Sequence, residues 1–269
     1  MKAAIFVLAL VVVGRAQTEE TLFKTAVSAF ERKDFLLAEQ YFTRLTKDYI
    51  GSNRAQDYYY YQYESLIGIS NVGSSRTLKH RQSGNTHPRG TLTIRFGDSA
   101  ARGNSVRNKE ISVAEKYLSH GTFVKYREYF LWHLLWLYKK QDREKQIRTA
   151  EELMRYDDLQ AYIYSRYILA LYGYLDHDYV KSIALYDQIV KIDTASDAER
   201  AKFCLLIADC YYQLGNIKDA FKYLKAAKHF ERNDANKFNS RMADKWETII
   251  SEYLKTGAKG KKPQLVFVD

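Results

Sequence analysis

Asp34-Phe35-x-x-Ala38-x-x-x-Phe42 returns as Asp178-Tyr179-x-x-Ser182-x-x-x-Tyr186 and again as Asn216-Ile217-x-x-Ala220-x-x-x-Leu224. A fainter copy, Asp142-Arg143-x-x-Gln146-x-x-x-Ala150, lies between the first two, so the steps are 108, 36 and 38 residues. A fixed period in the thirties marks helix pairs stacked into a solenoid. The last copy is the easiest to read. Residues 198–213 carry Phe203, Leu206, Ile207, Cys210 and Tyr211 at helical spacing, the pattern of one buried helix face. Gly215-Asn216 then ends this helix and caps the next, because glycine tolerates a positive φ and asparagine accepts from the first free amides. Ala208 stands twelve residues before Ala220, as Ala170 does before Ser182 and Ala26 before Ala38. Small residues at both places let the two helices of a pair approach closely. The fainter copy has Leu134 and Gln146 there.

This pattern resembles the tetratricopeptide repeat family. The resemblance is strongest over 197–231 and 158–192, clear over 20–50 and faintest over 122–155. It implies an all-α fold, a solenoid of helical hairpins. The family's terminal proline is absent; Ile50, Thr194 and Arg232 stand in its place. Further helices are expected over 54–70, 109–119 and 236–254. The last carries Trp246, Ile249, Ile250 and Tyr253 on one side, as a capping helix with a polar outer face should. Ala29-Phe30, Asp34-Phe35, Ala38, Tyr41-Phe42, Leu45, Tyr49 and Ser52 are also similar to the opening repeat of periplasmic tetratricopeptide proteins that serve outer-membrane assembly. The lipidated cysteine of that family is missing. The resemblance implies a bacterial envelope location.

The N-terminus agrees with export. Lys2 precedes an apolar run of eleven residues, Ala3 to Val13, shorter than the roughly 20 needed to span a bilayer. Gly14-Arg15-Ala16 follows with small residues where a signal peptidase cuts, so residues 1–16 read as a signal peptide. Among 269 residues there are two cysteines, Cys204 and Cys210. Six residues apart in one helix, their Cα atoms lie roughly 9 Å from each other, beyond disulfide reach. Both read as small buried hydrophobes. No Asn-x-Ser/Thr sequon occurs.

Residues 73–109 break the repeat. They are rich in Gly, Ser, Asn and Arg, and carry eight basic side chains against the single acid Asp98, a sum of +7. The chain after residue 16 sums to +8, so nearly all its excess charge sits in this insertion. Loops of such length inside a domain are uncommon and often functional. Arg76, Lys79, Arg81, Arg89 and Arg95 are the candidate contact with an anionic partner, whether lipid head groups, an envelope polymer or an acidic protein face. Nucleic acid is not expected: the chain is exported, and Phe96 is the insertion's only aromatic, where single-strand binders stack several. Within the insertion 91–96 alternates like a short strand, and 264–268 does the same near the C-terminus.

Catalytic motifs are sparse. Phe96-Gly97-Asp98-Ser99-x-x-x-Gly103-Asn104 resembles the nucleophile block of the GDSL esterases. That family's Asp-x-x-His and Gly-x-Asn-Asp are missing, and a serine without a base is no nucleophile. There is no phosphate-binding Gly-x-x-x-x-Gly-Lys-Ser/Thr and no His-Glu-x-x-His. His133 reads as a packed or rim histidine, and Asp178 of Asp176-His177-Asp178 as a helix cap. No cofactor and no metal are implied. Tyrosines are abundant, 23 in all. The run Tyr58 to Tyr61 must point around a helix in all directions, so some should line a groove. Tyr58, Tyr59, Tyr61, Tyr162 and Tyr167 are the candidates, since tyrosine is enriched at protein interfaces. The expectation is a non-enzymatic envelope scaffold or adaptor. It comprises N-terminal helices over 17–72, the insertion 73–109, repeats with a capping helix over 110–256, and a tail 257–269. Its partner is a protein or peptide, and the mature chain has no transmembrane segment. The alternatives are a structural subunit of an envelope machine, such as secretion or periplasmic flagellar assembly, and the esterase.

Overall fold

The computed structural model describes residues 18–74, 104–139, 141–192, 195–232 and 238–256. The predicted signal peptide, the strand-like 91–96 and 264–268, and the Ser99 block up to Gly103 lie outside the described residues. Eleven helices are seen among them: α1 (Glu19–Glu31), α2 (Phe35–Asp48), α3 (Ala55–Ser74), α4 (Asn104–Ser119), α5 (Arg127–Leu137), α6 (Arg143–Leu153), α7 (Leu159–Leu175), α8 (Tyr179–Val190), α9 (Asp197–Gln213), α10 (Ile217–Phe230) and α11 (Phe238–Lys255). The fold is all-α, and the chain divides into two compact units between Leu137 and Tyr138.

In the first unit each helix packs on the next from α1 to α5, and α1 also reaches α3. In the second the same order runs from α6 to α11, with α9 also reaching α11. Neighbours in sequence are thus neighbours in space, the arrangement of a helical-hairpin solenoid. The small pairs sit where the sequence places them. Ala26, Ala38, Ala170, Ser182, Ala208 and Ala220 are all fully buried. Ser182 Oγ donates to the Ala170 carbonyl at 2.8 Å, so the one hydroxyl among them is not left without a partner.

The repeated phrase is a single joint seen three times. The N–H groups of Asp34, Asp178 and Asn216 reach back to the carbonyls of Ala29, Gly173 and Tyr211 at 3.0, 2.8 and 2.9 Å. Those of Lys33, His177 and Gly215 bond to Phe30, Tyr174 and Tyr212 at 2.9, 3.0 and 2.9 Å. This is the Schellman pattern of a helix C-terminus. Its last residue is also the N-cap of the next helix: the Asp34, Asp178 and Asn216 side chains accept from Leu37, Lys181 and Asp219 amides. One residue therefore serves both helices, which fixes the turn. The fainter copy differs. Asp142 still caps, from Lys145 N–H at 3.0 Å, but its own N–H bonds to the Tyr138 carbonyl, four residues back. The boundary between the units, between Leu137 and Tyr138, falls just before this copy.

Two boundaries of the sequence reading are corrected. Helix α3 runs to Ser74, and α4 starts at Asn104, so residues 104–109, expected in the insertion, are helical. The basic excess of the segment hid the first turn of α4, while Glu110, Val113, Ala114 and Tyr117, inside the helix expected over 109–119, are buried. Moreover, α3 and α4 pack together, and Ser70 Oγ donates to the buried Glu110 carboxylate at 3.1 Å. The second helices that follow start at Asn104, Arg143, Tyr179 and Ile217, steps of 39, 36 and 38 residues. Helices α3 and α4 therefore fill the 108-residue gap between the first copy and the fainter one. The insertion lies between two helices of one unit, at the place of the phrase itself.

The end of the second unit follows expectation. Trp246 and Ile250 are buried, and Ile249 and Tyr253 pack beside them. Cys204 and Cys210 are buried free thiols. Burial pushes the Cys204 thiol up to about 12 and raises that of Cys210 further.

Candidate interaction surfaces

The four consecutive tyrosines of α3 separate by direction. Tyr58 is fully buried with its ring 5.4 Å from Phe23, and its hydroxyl donates to Glu19. Burial pushes that hydroxyl up to about 12. Tyr59 is buried on the other side, edge-on to Tyr117 at 6.0 Å and Phe123 at 5.9 Å. Tyr61 stacks on Phe42 at 5.2 Å and meets Phe30 edge-on. Tyr58 and Tyr59 are therefore core residues, a correction to the groove assignment. The cause is that α3 is covered by α2 on one side and by α4 on the other. Tyr61 is only half-buried, yet its ring belongs to the α1–α2 packing as well.

Tyr60 is the side chain the sequence reading missed. It stacks on Tyr126 at 4.5 Å and stands edge-on to Tyr129 at 5.2 Å. One turn on, the Glu64 carboxylate accepts from the Tyr129 hydroxyl. His133 lies 4.4 Å from Tyr129 and 5.0 Å from Tyr63, ring to ring. At one end Asp57 accepts from the Tyr126 hydroxyl at 2.7 Å and from the Lys125 ammonium at 2.6 Å. Tyr60, Glu64, Tyr126, Tyr129 and His133 are all half-buried and form one seam. Burial raises the Glu64 carboxyl above its ordinary range, opposed by the Tyr129 hydrogen bond. Burial likewise pushes Tyr60 up to about 12 and Tyr129 well above its usual value. Such a wall offers aromatic faces and one carboxylate to an amide or a cation of a partner. The i, i+4 pair Tyr60 and Glu64 was the available signal.

In the second unit both tyrosine candidates are half-buried, each with a cation over its ring. The Arg166 guanidinium lies 3.2 Å from the Tyr162 centroid, and its Nε donates to Gln188 at 2.7 Å. The Lys202 ammonium lies 5.1 Å from the Tyr167 centroid, with Phe203 6.1 Å to the side. Tyr167 also packs against the cluster of Ile163, Tyr186 and Ile207. Arg76, Lys79, Arg81, Arg89 and Arg95 lie outside the described residues. Two other basic residues of that stretch sit on α4: Lys109 is exposed, while Arg107 is half-buried and donates to the Leu137 carbonyl.

Among the described residues no group of three His, Cys, Asp or Glu gathers as a metal site, and no helix is long and apolar enough to cross a membrane. Asp178 is a cap, as its sequence position suggested.

No protein-family model matches this chain. No curated protein matches it in sequence either.

Proposed function

We propose that the protein is an exported, tetratricopeptide-type scaffold or adaptor of a bacterial envelope, holding a peptide or helix of a partner protein. The observation that carries this reading is the triplicated joint, in which one capping residue terminates a helix and starts the next. Arrays of such hairpins bind partners along their surfaces. The aromatic seam of Tyr60, Tyr126 and Tyr129, and the cation-covered Tyr162 and Tyr167, supply the residue types enriched where proteins meet. The signal-like residues 1–16 support export. The basic residues of 75–103, Arg76 to Arg102, would add attraction for an anionic partner.

The test is a photo-crosslinking residue at position 60 or 162 in the native envelope, followed by identification of the adducts. A discrete protein adduct that disappears with Tyr129→Ala or Arg166→Ala supports the reading. Crosslinking to nothing, or to many proteins equally, rejects it.

A further inference from the structure

Helix α10 carries a feature that the proposed function does not use. Its only exposed side chains are Lys218, Lys222, Lys225 and His229. Their spacing of four, three and four residues places them in one line, about 16 Å long at the rise of an α-helix. Arg232 extends the line just beyond the helix end. The opposite face is committed to the core through Ala220, Leu224 and Ala227.

Among the described residues the line has no counterions. Elsewhere single exposed cations such as Lys47 and Lys181 also stand unpaired, but others take an acid one turn away: Lys24 with Glu20, Arg44 with Asp48, Arg148 with Glu144, and Lys191, the C-cap of α8, with Asp187. On α10 the acid nearest the line, Asp219, is engaged by the Asn216 side chain. Glu231 is buried and accepts from Asn239 and Ser240. Lys228, off the line, takes Asp244 and Glu247. Like charges at this spacing repel, and Lys218 stands in the first turn, where the helix dipole disfavours a cation. The N-terminal lysines of the line work against the helix's own stability, although His229 in the last turn suits the dipole, so their use lies outside the helix.

We propose that this face of α10 docks on an anionic lipid surface. Charge complementarity requires an anionic occupant, and the composition of the line selects among them. Protein interfaces concentrate aromatic and arginine anchors and deplete lysine; this line is mainly lysine and exposes no Phe, Tyr, Trp or aliphatic side chain. Its one exposed ring is the His229 imidazole, where single-strand binders stack several. Lysine-rich polar faces held near a bilayer are attracted by its surface potential without needing an apolar anchor. Binding is therefore electrostatic, modest and salt-sensitive.

The test is a lysine footprint on the full chain with phosphatidylglycerol-containing vesicles, vesicles of phosphatidylcholine alone, and duplex DNA. Lys218, Lys222 and Lys225 become protected from a soluble acylating reagent by the anionic vesicles only, and lose that protection at about 0.5 M salt. Lys24, Lys33 and Lys47, exposed on the first unit, stay reactive. The variant K218Q/K222Q/K225Q weakens the salt-sensitive partition roughly a hundredfold, while K24Q/K33Q/K47Q, equal in net charge, does not. Circular dichroism confirms that both fold. No protection of the three α10 lysines overturns the proposal. So does equal protection of Lys24, Lys33 and Lys47, an equal loss in both variants, or protection by DNA and not by vesicles.

Discussion

Lys33 and His177 share one backbone conformation, φ 63° in each, and each immediately precedes the aspartate that caps the second helix of its hairpin. The third joint puts Gly215 there, at φ 78°. The left-handed conformation is a property of the joint and not of the residue. Glycine occupies it freely, while a side chain with a Cβ is strained by about 1 kcal/mol. Lys33→Gly and His177→Gly should therefore each stabilise the protein by about 1 kcal/mol in urea denaturation. Gly215→Ala should destabilise it by a similar amount, since an added Cβ there meets no atom within 4 Å and only the backbone objects. Unchanged midpoints for all three would show that the joint relaxes into another turn.

Gly68 of α3 lies under the Phe35 ring, which occupies the space where a Cβ would be. Phe35 also packs edge-on against Phe30 at 5.6 Å, so the ring cannot swing away without loosening α1. Gly68→Ala should cost about 2 kcal/mol, as overpacking does. The penalty should shrink in a Phe35→Leu background, where the smaller side chain leaves room. Equal penalties in both backgrounds, read by thermal melting, would place the strain elsewhere.

The joints were readable because each compresses its chemistry into adjacent residues: a left-handed position, a capping oxygen, and a small residue four further on. The pair α3 and α4 was harder. Neither helix carries the phrase, and Arg107 and Lys109 made the start of α4 look like part of a basic loop. The seam was hidden for another reason. Tyr58 to Tyr61 are chemically alike, and only the packing of α2 and α4 on α3 decides which ring is covered. The pairing of Tyr60 with Tyr126 spans 66 positions, a separation to which helical periodicity is blind. The basic line of α10 was legible in principle, at 218, 222, 225, 229 and 232, but the larger charge excess of the insertion drew attention from it.

Glu19 and Glu64 should give the first unit opposing responses to pH. Hydrogen bonds from Ser52 and Tyr58 hold the Glu19 carboxyl below its ordinary value of 4.5. A depressed folded-state pKa contributes stability that is present above the unfolded value and lost as pH falls through the folded one. Burial raises the Glu64 carboxyl above 4.5. Its contribution is present below the unfolded value and lost as pH rises through the folded one. Glu19→Gln should accordingly lower the melting temperature at pH 7 and matter less at pH 3. Glu64→Gln should raise it at pH 7, with a gain that fades by pH 4. Melting curves for both variants across pH 3–8 check the signs, and a loss of stability at pH 7 for Glu64→Gln would mean that the Tyr129 hydrogen bond outweighs burial.

The Ser70–Glu110 hydrogen bond joins α3 to α4 directly across the insertion point, and Tyr117 of α4 reaches Gln56 of α3 at 2.9 Å. These contacts hold α3 to α4, and loop length enters stability only logarithmically. Replacing 75–103 with eight glycine and serine residues should keep helical content and leave stability within about 1 kcal/mol. The same variant separates the two charged regions of the chain. If the insertion holds an anionic envelope partner, the excised protein loses its salt-sensitive adducts in the native envelope. The lysine footprint of α10 on anionic vesicles should survive the excision, because every residue of that line lies between Lys218 and Arg232. Loss of the footprint together with the adducts would assign both to the insertion.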